Sequence, residues 1–292
     1  MTLSTRTASS RPRPSRVPPL QNGDRLTRDE FERRYDATPN LKKAELIEGV
    51  VYMPPPVSYR DHGAPHFDVI SWLGLYRMET PGISGGDNGS LRLDLDNMPQ
   101  PDACLLILPE FGGQARIDAD GYVAGAPEFI FEVAASSASY DLNVKLNAYR
   151  RNGVREYVVW RVLERAIDWF VLREGRYDRL APSKDGHLKS EVLPGLWLDP
   201  DALIRGNLAA FAQLQRQGLA SRQYAAFAKR LKSAASSQHA KPRGGTRRTR
   251  RRAGNGANGR RILMSAASPE QRLNASEIPV KVSAKPDSHF SP

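Results

Sequence analysis

The chain predicts an α/β fold, a central mixed β-sheet flanked by helices. Three observations carry this. Pro127-Glu128-Phe129-Ile130-Phe131-Glu132-Val133 is rich in aromatic and β-branched residues, and it is bounded by Gly125-Ala126-Pro127 and by the small residues 134–139. That is the pattern of a buried strand. A helix-period stretch, Tyr140 to Asn152, follows at once, and then another apolar run, Glu156 to Val162. Downstream, Ala166 to Leu172, Arg176 to Leu180 and Leu188 to Leu193 are separated by Glu164-Arg165, Glu174-Gly175 and Lys184-Asp185-Gly186. Short runs with such turns predict an antiparallel meander.

The 292 residues suffice for one or two domains, and 40% hydrophobic content supports a packed core. The formal charge of +11 is uneven. Residues 229–292 hold 15 Lys and Arg against 3 Asp and Glu, residues 1–24 hold 4 Arg against 1 Asp, and the chain between them is net −4. The basicity therefore belongs to the ends, and the folded part is mildly acidic. The expected organisation is a disordered leader over 1–24, a folded domain over 25–205, a helical extension over 206–233 and a disordered basic tail over 234–292. The leader is Ser-, Arg- and Pro-rich, and four prolines (Pro12, Pro14, Pro18, Pro19) oppose the amphipathic helix of a transit peptide. The tail run Thr246 to Arg252 reads either as a salt-sensitive nucleic-acid tether or as a solvated segment. No apolar run reaches membrane-span length, so no membrane partner is expected. The single Cys104 excludes an intramolecular disulfide and fits a reducing, cytoplasmic compartment.

Taken in order, Thr27-Arg28-Asp29-Glu30 has the form of a capping box opening a short helix to Tyr35. Ala44 to Met53 reads as a strand with a bulge or turn at Gly49. Pro54-Pro55-Pro56 breaks the chain before a largely buried helix, Ala64 to Met78, with Phe67, Ile70, Trp72, Leu73, Leu75 and Tyr76 inward. Leu91 to Asp96 alternates as a half-exposed strand and leads into the strand opened by Pro101-Asp102, its antiparallel neighbour. Asp120-Gly121 marks a hairpin within Arg116 to Val123. Asn207 to Gln217 and Ser221 to Ser233 are helical in pattern, suited to a lid or a dimer contact.

Charged residues in apolar places point to a site. Alternation puts Phe129, Phe131 and Val133 on one face of their strand and Ile130, Glu132 and Ala134 on the other. Glu132 is then a carboxylate among apolar side chains, which costs several kcal/mol unless compensated. In the next helix Leu142, Lys145, Leu146 and Tyr149 form the inward stripe, with Lys145 in its middle. Asp102 stands at a strand end within reach of its neighbour. An Asp, a Glu and a Lys so placed suit a hard divalent cation, Mg²⁺ or Mn²⁺, with a charged organiser. Glu45 and Glu48 differ in parity, so only one faces such a site unless the Gly49 bulge intervenes; the other reading of either is a solvent-facing edge Glu. His62 and His66 stand i, i+4, a zinc-compatible spacing, but no HExxH and no Cys/His cluster completes a zinc set. A helix-start or substrate-facing polar role is expected of them instead. The Gly-rich stretch 81–89 lacks the Gly-Lys-Ser/Thr of a phosphate loop, and no Gly-x-Ser-x-Gly elbow exists for a serine hydrolase.

Pro101-Asp102, Glu132-Val133 with Ser136, Ser137 and Ser139, Tyr140-Asp141, Lys145 and the stretch Tyr149-Arg150-Arg151-Asn152-Gly153-Val154-Arg155-Glu156-Tyr157 together resemble the Uma2 family, within the PD-(D/E)XK nuclease superfamily. Glu45-Leu46-Ile47-Glu48-Gly49 resembles that family's first strand, which favours Glu45 over Glu48. The resemblance covers roughly residues 26–203. It implies a restriction-endonuclease-like core and a metal-dependent endonuclease, with DNA as the expected nucleic acid and a homodimer as the form suited to cutting both strands. It implies Asp102 and Glu132 as metal ligands and Glu45 as a further ligand through water. Lys145 would orient the attacking water or meet the charge on the phosphate. The superfamily's Lys would stand two residues after Glu132, where this chain has Ala134; the family's Lys from the next helix corresponds to Lys145. The alternative is a catalytically inactive nuclease-fold protein that binds nucleic acid or another protein.

Overall fold

The computed structural model describes residues 17–239. Helix α1 (Arg28–Asp36) precedes two short strands, β1 (Glu45–Ile47) and β2 (Val50–Tyr52). A π-type turn, Tyr59–Gly63, leads into α2 (Ala64–Glu79), which is followed by β3 (Ile83–Gly86), β4 (Leu91–Arg92) and β5 (Ala103–Ile107). The short pair β6 (Arg116–Ile117) and β7 (Val123–Ala124) comes before β8 (Phe129–Ala134). One helical segment then runs as α3 (Ala138–Tyr140), a π-type turn (Asp141–Lys145) and α4 (Leu146–Asn152). The meander strands are β9 (Glu156–Arg161), β10 (Ala166–Arg173) and β11 (Arg176–Arg179). Strands β12 (Leu188–Lys189) and β13 (Trp197–Leu198) lead to α5 (Pro200–Ile204), α6 (Leu208–Leu219) and α7 (Arg222–His239).

The central sheet has six strands in the order β11-β10-β9-β8-β5-β3. Only β8 and β9 are parallel, joined by the 138–152 helix; the other neighbours are antiparallel. The sheet is therefore mixed, as expected. The alternation read for β8 holds. Phe129, Phe131 and Val133 pack with Trp72, Trp169, Phe211 and Phe227 on one face, beneath α2, α6 and α7. Ile130 and Ala134 pack with Tyr149, Tyr157 and Val159 on the other, beneath α4. A third, smaller cluster of Leu20, Phe31, Ala44, Leu46, Val51 and Met98 holds α1 and the β1–β2 pair together.

Several expectations are corrected. Residues 44–53 form a two-residue hairpin, because Glu48 (φ 53°) and Gly49 (φ 72°) both adopt the left-handed conformation that a tight turn of this twist needs. Thr27 does precede a helix, but its side chain makes no cap hydrogen bond, and the Glu30 carboxylate that a capping box would turn back to the Thr27 N–H pairs with Arg33 and Arg34. Phe67 is exposed, while Trp72, Leu73 and Tyr76 turn inward as expected, joined by Val69. Only Leu91 and Arg92 of the 91–96 run pair as strand, in a small sheet with β7 and β6. The meander stops at β11, and Leu188 pairs with Leu198 in a separate two-stranded sheet. Residues 17–24, expected in the leader, are held: Leu20 is buried and the Gly23 N–H donates to the Val51 carbonyl. Helix α7 runs past the expected 233 boundary to His239. The rest of the leader and the basic tail lie outside the described residues. Among the described residues no helix is long and apolar enough to cross a membrane.

Candidate functional site

Strands β5 and β8 run antiparallel, with Ala103 opposite Phe131, so Asp102 and Glu132 arrive at the same end of the pair. The Asp102 N–H donates to Glu132 Oε2 at 3.3 Å, and Asp102 Oδ2 accepts from the Val133 N–H at 2.9 Å. The two acids are thereby locked to each other's strand. The stripe of the following helix delivers Lys145. Its Nζ lies 3.0 Å from Glu132 Oε1, 3.0 Å from Glu45 Oε1 and 3.6 Å from Asp141 Oδ1. Tyr149, one turn on, donates to Glu132 Oε1 at 3.0 Å. The hairpin brings Glu45 from the far side, and the Gln100 N–H fixes Glu45 Oε1 at 2.7 Å. Glu48 points away and pairs with Arg151.

All four residues expected at the site, Asp102, Glu132, Lys145 and Glu45, are thus together and buried. The sequence reading missed Asp141, His62, His66 and Lys43 as members. Asp141, four residues before Lys145 at the margin of the inward stripe, lies with it in the π-type turn; such turns concentrate at functional sites. Ser137 donates to Asp141 Oδ2 at 2.6 Å. His62 Nε2 lies 3.1 Å from Asp102 Oδ2, and His66 Nε2 donates to the Asp102 carbonyl at 2.8 Å. Their i, i+4 spacing was the available signal, and it serves Asp102. Lys43 Nζ lies 3.4 Å from Asp102 Oδ1 and 3.2 Å from Asn88 Oδ1. Nothing in the local pattern around Lys43 distinguishes it from its neighbour Lys42.

Burial and charge divide the acids. Burial pushes the Glu132 carboxyl up to about 8, against the pull of Lys145. Burial also raises Asp141, with Lys145 and Ser137 opposing. Burial acts the same way on Asp102, but there the His62 ring and the Lys43 charge outweigh it and hold the carboxyl well below the usual range. Burial would lower Lys145, yet Glu132, Glu45 and Asp141 around it raise it well above its ordinary value. Lys145 is therefore a fixed cation.

Four carboxyl groups face two ammonium groups, and the raised Glu132 and Asp141 reflect the cost of burying and crowding that much negative charge in one place. Asp102 Oδ1 and Glu132 Oε2 each have only a long contact, at 3.4 and 3.3 Å. Among the described residues no group of three or more His, Cys, Asp or Glu side chains is arranged to hold a metal ion. A cation here would draw on two carboxylates and water, the donor set that suits Mg²⁺. The residues present fit such an ion.

The comparisons follow this geometry. The Uma2 family model, described as "Putative restriction endonuclease", matches residues 28–201. No curated protein matches the chain. Among solved structures, it is similar to a protein of Anabaena variabilis ATCC 29413 described as "a putative nuclease belonging to DUF820", with 15% identity and a TM-score of 0.45, over 62% of this chain and 98% of that one. The family match takes in the central sheet, the helix that carries Lys145 and every residue of the acid cluster, more than half of the sequence, and the chain therefore belongs to the Uma2 family.

Proposed function

We propose that the protein is a metal-dependent endonuclease that hydrolyses phosphodiester bonds, with DNA as substrate. Family membership supports a nuclease-like function. The observation that carries the finer reading is the cluster itself: Asp102 and Glu132, from adjacent strands, meet over Lys145 with Glu45 and Asp141 in attendance. Buried carboxylates in excess of buried cations are costly in a purely structural role. They are what a divalent cation requires.

Asp102 and Glu132 would hold Mg²⁺ or Mn²⁺, with Glu45 a further ligand through water. When bound, such an ion polarises the phosphate and lowers the pKa of a coordinated water. The chain's own residues do the rest. Lys145 and Tyr149 fix the Glu132 carboxylate through Oε1, which leaves Oε2 turned toward Asp102. His62 and the Val133 N–H fix Asp102 through Oδ2, which leaves Oδ1, held only by the long Lys43 contact, to meet a cation. Ala134, where the superfamily pattern has Lys, is buried in the apolar cluster beneath α4, and the ammonium reaches Glu132 from Lys145 instead. The single Cys104, buried and free, fits a cytoplasmic protein.

The experiment is cleavage of supercoiled plasmid DNA with Mg²⁺ or Mn²⁺, comparing the full chain with Asp102→Asn. Loss of nicking in a folded variant is expected. Undiminished metal-dependent cleavage by that variant would overturn the assignment. The second reading, a binding module without catalysis, takes its support from Ala134, which stands where the superfamily pattern has Lys. Calorimetric titration with Mn²⁺ separates the two, since a module of that kind takes up no ion at Asp102.

A further inference from the structure

We infer that Lys43 is the residue that contacts the scissile phosphate, and that Lys145 serves only to hold the carboxylates in place; this rests on the nuclease reading above. The two lysines differ in access and in commitment. The Lys145 side chain is 5% exposed, and its ammonium is shared among Glu132, Glu45 and Asp141. An ammonium so enclosed cannot touch a substrate without breaking two contacts of 3.0 Å inside the protein. The Lys43 side chain is 27% exposed and approaches the cluster from the solvent side. Its partners are Asp102 Oδ1 at 3.4 Å and the exposed Asn88 at 3.2 Å. Both are longer than the 2.7–2.9 Å typical of charge-assisted bonds.

Asp102 ties the two ends of the site together. Its Oδ2 is spent on the Val133 N–H and on His62, so Oδ1 is the oxygen it offers to a cation, and Lys43 stands at that oxygen. A divalent ion bound at Oδ1 would compete directly with the ammonium and release it toward solvent. A mobile, strongly hydrated cation beside the ion is suited to a phosphate oxygen, and a lysine meets phosphate as a point charge. The approach is also the open one. Glu45, Glu132, Asp141 and Lys145 are all buried, whereas the Lys43 and His62 side chains keep 27% and 15% exposure. A nucleic-acid backbone would therefore meet the cluster at its Asp102 edge, with Lys43 first in its path.

The test uses the full chain and the variants Lys43→Gln and Lys43→Arg, with three readouts. Cleavage of supercoiled plasmid in Mn²⁺ should fall by about a hundredfold in Lys43→Gln, the usual loss for one charge-stabilising donor, and recover in part in Lys43→Arg. The Mn²⁺ dissociation constant from calorimetry, without DNA, should be unchanged or tighter in Lys43→Gln, because a competing cation has gone. Reductive methylation mapped by mass spectrometry should label Lys43 and spare Lys145, and plasmid DNA should protect Lys43. Cleavage by Lys43→Gln at the wild-type rate overturns the inference. So does a loss of Mn²⁺ affinity in step with cleavage, which would make Lys43 merely a support for Asp102. Labelling of Lys43 that DNA leaves unaltered overturns the contact whatever the turnover. A wild-type chain that neither binds Mn²⁺ nor cuts DNA overturns the nuclease reading, and the inference with it.

Discussion

Strands β8 and β9 carry three buried glutamates, and two of them behave unlike the third. Glu128 and Glu156 sit at the starts of the two strands. Glu128 accepts from the backbone N–H groups of Ile107 and Gln114. Glu156 accepts from the N–H groups of Glu191 and Val192 and from the Ser190 hydroxyl. Their oxygens are spent on pinning loops to the sheet. Glu132, at the other end of β8, takes its closest contacts from side chains, Lys145 and Tyr149, and stands among other acids. A buried carboxylate is therefore not a site by itself. What faces its lone pairs decides: backbone and hydroxyl donors on both oxygens close Glu128 and Glu156 off, whereas a side-chain cation and a second acid leave Glu132 Oε2 with only a long contact.

The largest effect that would sharpen this contrast is on stability. Lys145→Met strands Glu132, Glu45 and Asp141 without their shared counter-charge, and a cost of about 3–5 kcal/mol in urea unfolding is expected. A loss smaller than about 1 kcal/mol would mean that the cluster relaxes by taking up protons or water, and that the cation is not what holds it.

The next comparison is Glu132→Gln against Glu128→Gln. Plasmid cleavage should fall by roughly a hundred- to a thousandfold in the first. In the second, turnover should survive while stability falls, because only loop pinning is lost. Equal losses of turnover in the two variants would dissolve the distinction between the ends of β8.

The smallest effect concerns pH. Burial pushes the Glu156 carboxyl up from 4.5 to about 7 against its three donors. A folded value above the unfolded one means that the native state holds the proton more tightly. The stability this group contributes is complete below about pH 4.5 and is lost as pH rises through about 7. The span corresponds to about 3 kcal/mol at most, at 1.36 kcal/mol per unit. Urea midpoints of wild type and Glu156→Gln, compared between pH 4 and 8, should converge on the wild-type side as pH falls. Parallel profiles would show that Glu156 is charged throughout and that its donors outweigh its burial.

Much of the site was legible before any coordinates. Alternation alone puts Glu132 opposite Phe131, and the helical stripe alone turns Lys145 inward, since both depend only on local geometry. Parity set Glu45 and Glu48 on different faces unless a bulge or turn intervened; a turn does intervene at Glu48 and Gly49, and Glu48 leaves the strand there. What failed locally was finer: the Glu30 carboxylate pairs with two arginines and not with the Thr27 N–H, and of the bulge or turn read at Gly49 the structure has the turn, at two left-handed residues. Asp141 was hidden by its place at the stripe's margin; it lies four residues before Lys145, with it in the π-type turn.

The sequence by itself determined the strands β5, β8, β9, β10 and β11, the inward stripe of the 140–152 helix, the mixed α/β class and the anomalous charges at 102, 132 and 145, because periodicity and the cost of burying charge are properties of short stretches. Only the tertiary structure decided how each acid spends its oxygens. Lys43 reaches Asp102 across 59 residues and His62 across 40, and no local pattern specifies contacts of that span. They follow from strand pairing and the docking of the β1–β2 hairpin, which fix distances between residues that the chain itself leaves independent.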